Sequence, residues 1–116
     1  MALHNTIGKS GEKLAQEYLT ELGYIIRDTN WRIRHYEIDI VCEKDNILII
    51  VEVKSRSNNI EILSDLLNTK KQKFLIRAAN AYINKYKLDK EVRFDLILTN
   101  PSNNTIQHIQ EAIQVF

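Results

Sequence analysis

The chain of 116 residues holds one cysteine, one proline, one methionine, one tryptophan and three glycines. Cys42 has no second thiol to pair with, which excludes a disulfide-stapled secreted scaffold and makes a reducing, cytoplasmic setting the expectation. So little Gly and Pro excludes collagen-like and low-complexity chains. The longest unbroken apolar run, Ile47 to Val51, falls far short of the roughly 20 residues of a transmembrane helix. Met1 to Asn5 lacks the basic-then-apolar pattern of a secretion signal, so no membrane partner is expected. An excess of one charge is also missing. A net charge of +1 excludes a strongly basic nucleic-acid coat but leaves room for a local basic surface. What remains is 44% hydrophobic and 27% charged, the composition of one globular domain over residues 1–116.

Periodicity gives the order of elements. Ile7, Gly11, Leu14, Tyr18 and Leu22 recur at helical spacing, with Gly23 as the stop, which predicts a helix over 7–22. Tyr24 to Arg27 reads as a short strand and Arg32 to Cys42 as a longer one, alternating from Tyr36 onward. Asp45-Asn46 is a two-residue turn, because both residue types tolerate left-handed backbone. Ile47 to Val51 is then a strand buried on both faces, continuing as Glu52-Val53-Lys54-Ser55-Arg56. Residues 57–68 read as loop. A helix over 69–86, capped by Asn68 or Thr69, carries the stripe Leu75, Ala78, Ala79, Tyr82 and Tyr86. Val92 to Thr99 is a strand. Ile106 to Ile109 is a short last strand before an amphipathic tail. The order α-β-β-β-α-β-β predicts an α/β or α+β fold, a mixed central sheet flanked by helices.

The chemistry lies in the middle of the chain. Glu37 and Asp39 share one face of their strand, with Ile38 and Ile40 expected on the other. Glu52 and Lys54 share a face of the next. Counting back from the Asp45-Asn46 turn places Asp39 opposite Glu52, with Cβ atoms about 5 Å apart. Two carboxylates that close in an apolar sheet repel each other and lose hydration. A divalent cation offsets both costs, since Mg²⁺ is commonly held by one or two carboxylates with water and phosphate oxygens. Lys54 is placed to neutralise remaining charge or to support charge developing on a phosphate. An ordinary salt-bridge cluster at the wet end of the strand gives the same pattern.

Asp39 followed by Glu52-Val53-Lys54 resembles the signature of the PD-(D/E)xK nuclease superfamily, which has the restriction-endonuclease-like fold. A wider set of segments resembles the YraN family of small bacterial predicted endonucleases, related in fold to archaeal Holliday-junction resolvases. These are Gly8-Lys9-Ser10-Gly11-Glu12, Gly23-Tyr24, Asn30-Trp31-Arg32, Glu37-Ile38-Asp39-Ile40-Val41, Val51 to Arg56, Lys71-Gln72-Lys73, Phe94-Asp95 and Ile106 to Ile109. The resemblance implies a Mg²⁺- or Mn²⁺-dependent endonuclease acting on DNA, branched or flapped, with one or two ions. It implies Asp39 and Glu52 as metal ligands, Lys54 as the catalytic lysine and Glu12 as a further acid, with Glu37 in reserve. Tyr36 stands where that family usually has Gly, and a ring there narrows a substrate groove. Many nucleases of this fold class are dimers, so a homodimer is an open expectation.

The supporting residues each carry two readings. Glu12 borders the first helix's apolar face, where it either joins the site or is simply a first-turn acid favoured by the helix dipole. Lys71 falls in line with the buried stripe, to meet a phosphate or the acids, or to snorkel to water. Lys70 to Lys90 holds seven basic residues against Asp89 alone, a phosphate-binding face or a solvated one. Lys70 and Lys73 lie on its outer side. Arg32, Arg34 and Arg56 are candidates to grip a scissile phosphate. Trp31, Tyr24 and Tyr36 either stack on exposed bases or pack in the core. A catalytically silent nucleic-acid-binding module on the same fold remains the alternative. Metal titration separates the two, since a silent module need not keep affinity for a divalent cation. On the nuclease reading, Glu52→Gln is expected to abolish metal-dependent cleavage while the chain stays folded and is even relieved of repulsion.

Overall fold

The computed structural model describes residues 10–55 and 67–113. Along them run α1 (Gly11–Glu21), β1 (Ile25–Ile33), β2 (Tyr36–Lys44), β3 (Ile47–Ser55), α2 (Thr69–Tyr86), β4 (Glu91–Asn100) and β5 (Thr105–Ile113). The strands form one five-stranded sheet in the order β1-β2-β3-β4-β5. Only β3 and β4 are parallel. A parallel pair needs a crossover, and α2 lies within it.

Local chemistry sets the ends of these elements. Ser10 caps α1 by accepting from Lys13 N at 3.2 Å, and Gly23, at φ +91°, follows its end. Asn68 caps α2 by accepting from Lys71 N at 2.9 Å. Asp45 and Asn46 take φ of 53° and 64°, and Lys44 pairs with Ile47 across them, the left-handed pair a tight hairpin requires. The expected strand over Arg32 to Cys42 is in fact two strands joined by a second hairpin, with Ile33 opposite Tyr36. Arg34 turns the chain there at φ 54°. β5 also runs through Ile113, replacing the expected tail. Residues 7–9 of the expected first helix and 57–66 of the expected loop lie outside the described residues.

The residues of β3 alternate between two cores. Leu48 and Ile50 pack with Leu75, Ala78, Ala79 and Tyr82 of α2. Ile49 and Val51 pack with Ala15 and Leu19 of α1. One helix thus covers each face, which explains an apolar run without polar interruption. Fully burying each of the Leu, Ile and Val side chains among these is worth about 1.5–3 kcal/mol. The expected alternation fails at one place in β2. Ile38 joins the α2 core and Ile40 the α1 core, so the two do not share a side across Asp39.

A polar network ties β5 to β4 and α1. Arg93 donates to both Asp95 oxygens at 2.9 and 2.8 Å, and Asp95 Oδ2 lies 2.7 Å from His108 Nε2. His108 Nδ1 is 3.0 Å from Tyr18 Oη. Burial pushes the Asp95 carboxyl up, but the hydrogen bonds from His108 and Arg93 outweigh it and hold Asp95 below its ordinary value.

Candidate functional site

The site arises where two strands part. β2 and β3 pair from Lys44↔Ile47 to Ile40↔Val51. Beyond that point β2 keeps its partner β1, through Arg32↔Glu37 and Ile33↔Tyr36. β3 keeps β4, from Glu52↔Leu96 to Ser55↔Thr99. The expected pairing of Asp39 opposite Glu52 is therefore not a rung of the ladder. Asp39 Oδ2 instead accepts from Val53 N at 2.8 Å, so a side chain takes the hydrogen bond that a neighbouring strand would have taken. The fork opens a cleft of about 350 Å³ lined by Glu37, Asp39, Glu52, Val53, Lys54, Lys71 and Phe74.

Two carboxylates in this cleft live in different electrostatic surroundings. Glu52 is 5% exposed, and its Oε2 is met by Lys71 Nζ at 3.0 Å and Lys54 Nζ at 3.2 Å. Asp39 has no cation against it among the described residues. Burial, then the charge of Glu52, push its carboxyl up to about 7, with Glu12 adding to the rise and the Val53 N–H opposing it. A hydrogen bond with Glu52 also favours the protonated form of Asp39.

Glu12 reaches this region because α1 sits close to the sheet. Gly11 is buried, and a Cβ added to it would overlap Ser55 Oγ and Thr99 Oγ1, which lie 2.9 Å apart. Only a residue without a side chain lets the helix start there. Glu12 Oε1 is buried with no hydrogen-bond partner among the described residues. A cation would relieve both that orphaned oxygen and the buried Asp39 carboxyl. Glu12, Asp39 and Glu52 all offer hard carboxylate oxygens, the ligand type Mg²⁺ and Mn²⁺ take. Among the described residues no group of three or more Asp, Glu, His or Cys is already gathered as a metal cage. Mg²⁺ requires no such cage, since it keeps several waters and takes only one or two carboxylates.

The remaining sequence candidates scatter. Glu37 lines the cleft but is exposed, and it pairs with Arg32 Nη2 at 3.2 Å. Arg34 is exposed in the β1–β2 turn. Arg56 lies outside the described residues. Lys70 and Lys73 line a second groove of about 480 Å³ with Asn68, Lys71, Phe74 and Arg77. Trp31 and Tyr24, at 7% and 5% exposed, pack in the core. Sequence reasoning passed over Phe74, which lines both grooves. Its signal was its place three residues after Lys71, on the same side of the helix.

A mixed sheet with a helix on each face is consistent with a restriction-endonuclease-like core. The chain belongs to uncharacterised protein family UPF0102, whose model matches residues 11–99, a span that includes every residue of the cleft. A UPF0102 protein of Bacteroides thetaiotaomicron is 47% identical over 115 residues, covering 97% of this chain and 95% of the relative. One from Flavobacterium psychrophilum is 41% identical over 119 residues and is covered completely in both directions. Among solved structures, an fdxN element excision controlling factor protein from Anabaena variabilis is similar with a TM-score of 0.48 at 14% identity, over 85% of this chain and 97% of that one. An XisH family protein from Nostoc punctiforme is similar with a TM-score of 0.48 at 12% identity, over 85% and 98% of the two chains. Both likenesses concern shape alone. Among the described residues no helix is long and apolar enough to cross a membrane.

Proposed function

We propose that the cleft is the active site of a metal-dependent endonuclease that hydrolyses phosphodiester bonds in DNA. The observation that carries this reading is the unequal pair at the fork: Glu52 neutralised by two lysines, and Asp39 left unneutralised and driven toward neutrality. Asp39 and Glu52 would hold Mg²⁺ or Mn²⁺, with Glu12 beside them and Glu37 at the rim. When bound, the ion would lower the pKa of a water and polarise the scissile phosphate.

The chain's own groups supply the rest. The Lys54 ammonium, within reach of the same oxygen as Lys71, is placed to balance negative charge that builds on the phosphoryl oxygens. Lys71 approaches from the helix side and can pass from Glu52 to a substrate phosphate as that carboxylate is engaged. Arg32 and the outer lysines Lys70 and Lys73 offer phosphate contacts that position a strand without reading its sequence.

One observation favours a second reading. Both lysines already satisfy Glu52, as a structural ion-pair cluster would, and a silent nucleic-acid-binding module needs nothing more. The deciding experiment is cleavage of labelled duplex, single-stranded, flapped and four-way-junction DNA in Mg²⁺ and Mn²⁺, with folded Glu52→Gln protein alongside. Cleavage that needs both metal and Glu52 supports the nuclease. Retained cleavage in folded Glu52→Gln removes this site from the chemistry. Binding to these DNAs without metal-dependent cleavage favours the silent module.

A further inference from the structure

Phe74, which lines the acidic cleft, belongs to a cluster of three rings from two separate elements. His35 and Tyr36, at the β1–β2 turn, have centroids 4.3 Å apart. Phe74 of α2 lies 5.6 Å from Tyr36 and 6.1 Å from His35. Trp31 and Tyr82 also meet, at 5.0 Å, but inside the core. The trio is open to solvent, with His35 exposed and Tyr36 and Phe74 half-buried. Tyr36 leans on the α2 core, whereas Phe74 belongs to neither core cluster of the described residues.

Phe74 therefore does little for the core, yet it sits between the acidic cleft and the groove lined by Lys70, Lys73 and Arg77. A flat ring bordered by cations is the chemistry that holds an unpaired base: stacking on its face and charge along its backbone. A continuous duplex keeps its base faces stacked inside and offers only phosphates and groove edges. Lys71 links the platform to the acids, its Nζ lying 3.0 Å from Glu52 Oε2 and 5.7 Å from the Phe74 ring centre. The ring is thus within about 9 Å of that carboxylate.

We propose that His35, Tyr36 and Phe74 form a stacking platform for unpaired nucleobases, so that the site takes a single-stranded or splayed segment in preference to continuous duplex. The proposal rests on the nuclease reading for the platform's role, but binding tests it without cleavage.

The test titrates wild-type protein, in chelator, against labelled duplex DNA, the same duplex carrying a splayed arm, and single strands of the arm's sequence as DNA and as RNA. Anisotropy gives the affinity, and quenching of a fluorescent adenine analogue in the arm reports stacking. The arm should bind more tightly than duplex and be quenched. Phe74→Ala and Phe74→Leu should each cost about tenfold on the arm, the loss of one base stack, with duplex binding unchanged and Phe74→Trp restoring the arm. Lys70→Gln with Lys73→Gln should weaken every ligand alike and flatten the salt dependence.

Equal affinity for duplex and arm, an unquenched arm, or a Phe74 effect shared by duplex would overturn the platform. Comparable DNA and RNA binding makes the base itself the recognised group, and preference for one assigns the sugar a part, both with the platform intact. Arm selectivity without metal-dependent cleavage keeps the platform and sinks the nuclease. Cleavage of duplex indifferent to Phe74 does the reverse.

Discussion

Replacing Asp39 with Asn should stabilise the metal-free protein at neutral and alkaline pH. Asn keeps an acceptor for Val53 N–H, the hydrogen bond that ends the β2–β3 ladder. It discards a charge that burial and Glu52 make unwelcome. The folded carboxyl titrates at about 7 against an ordinary 3.8. Below about pH 4 both folded and unfolded Asp39 are protonated, so the wild type pays no penalty there. As pH rises through that window the unfolded chain ionises and the folded chain resists, so stability falls until the folded carboxyl has also titrated. At about 1.4 kcal/mol per pH unit the ceiling is about 4 kcal/mol, and solvent screening of a half-buried group brings it to roughly 2 kcal/mol. Urea denaturation in chelator, from about pH 4 to about pH 8, measures this difference. The wild type should lose roughly 2 kcal/mol more than Asp39→Asn across the range. Parallel curves would refute the reasoning, as would a variant less stable than wild type at the alkaline end. Adding Mg²⁺ at alkaline pH should recover stability in the wild type and not in the variant, by mass action on the folded state.

The two lysines on Glu52 reverse the sign expected for Glu52→Gln, which would strip two ammonium groups of their partner rather than relieve a repulsion. It should lower stability by about 1–2 kcal/mol, less than for a fully buried pair because both lysines reach water, and denaturant midpoints check this. Gly11→Ala should destabilise by about 1–3 kcal/mol through overlap with Ser55 and Thr99, and reduce any metal-dependent cleavage by lifting Glu12. Adding Ser55→Ala should return part of that stability in a double-mutant cycle; strict additivity would mean the overlap is not the cause.

Much of the fold could be read in the chain because local and tertiary preferences agreed. Asp45-Asn46 is a turn by residue type and by backbone, and the five rungs counted back from it match the ladder as far as Ile40↔Val51. Asn68 caps α2, and the expected stripe is buried from Leu75 to Tyr82, whereas its last member, Tyr86, is exposed. The Arg34–His35 turn was hidden because an arginine carries the left-handed φ, with no Gly, Asn or Asp to announce it. The fork was hidden because alternation says which face a side chain takes, not where one strand abandons its neighbour. The expected opposition of Asp39 and Glu52 was close in space and wrong in kind. A meeting such as Asp95 with His108 and Tyr18 depends on three elements docking, and no spacing within one element encodes it.

The fork gives one carboxylate two jobs. Asp39 Oδ2 is the peg on which the β2–β3 zipper stops, and the same side chain is the acid proposed to meet the metal. Loss of the side chain would leave the Val53 amide bare or let the seam run on and close the cleft. The proposed catalysis and the architecture would thus draw on the same side chain. A variant can surrender the charge and still hold the seam open, but it cannot surrender the acceptor and do so.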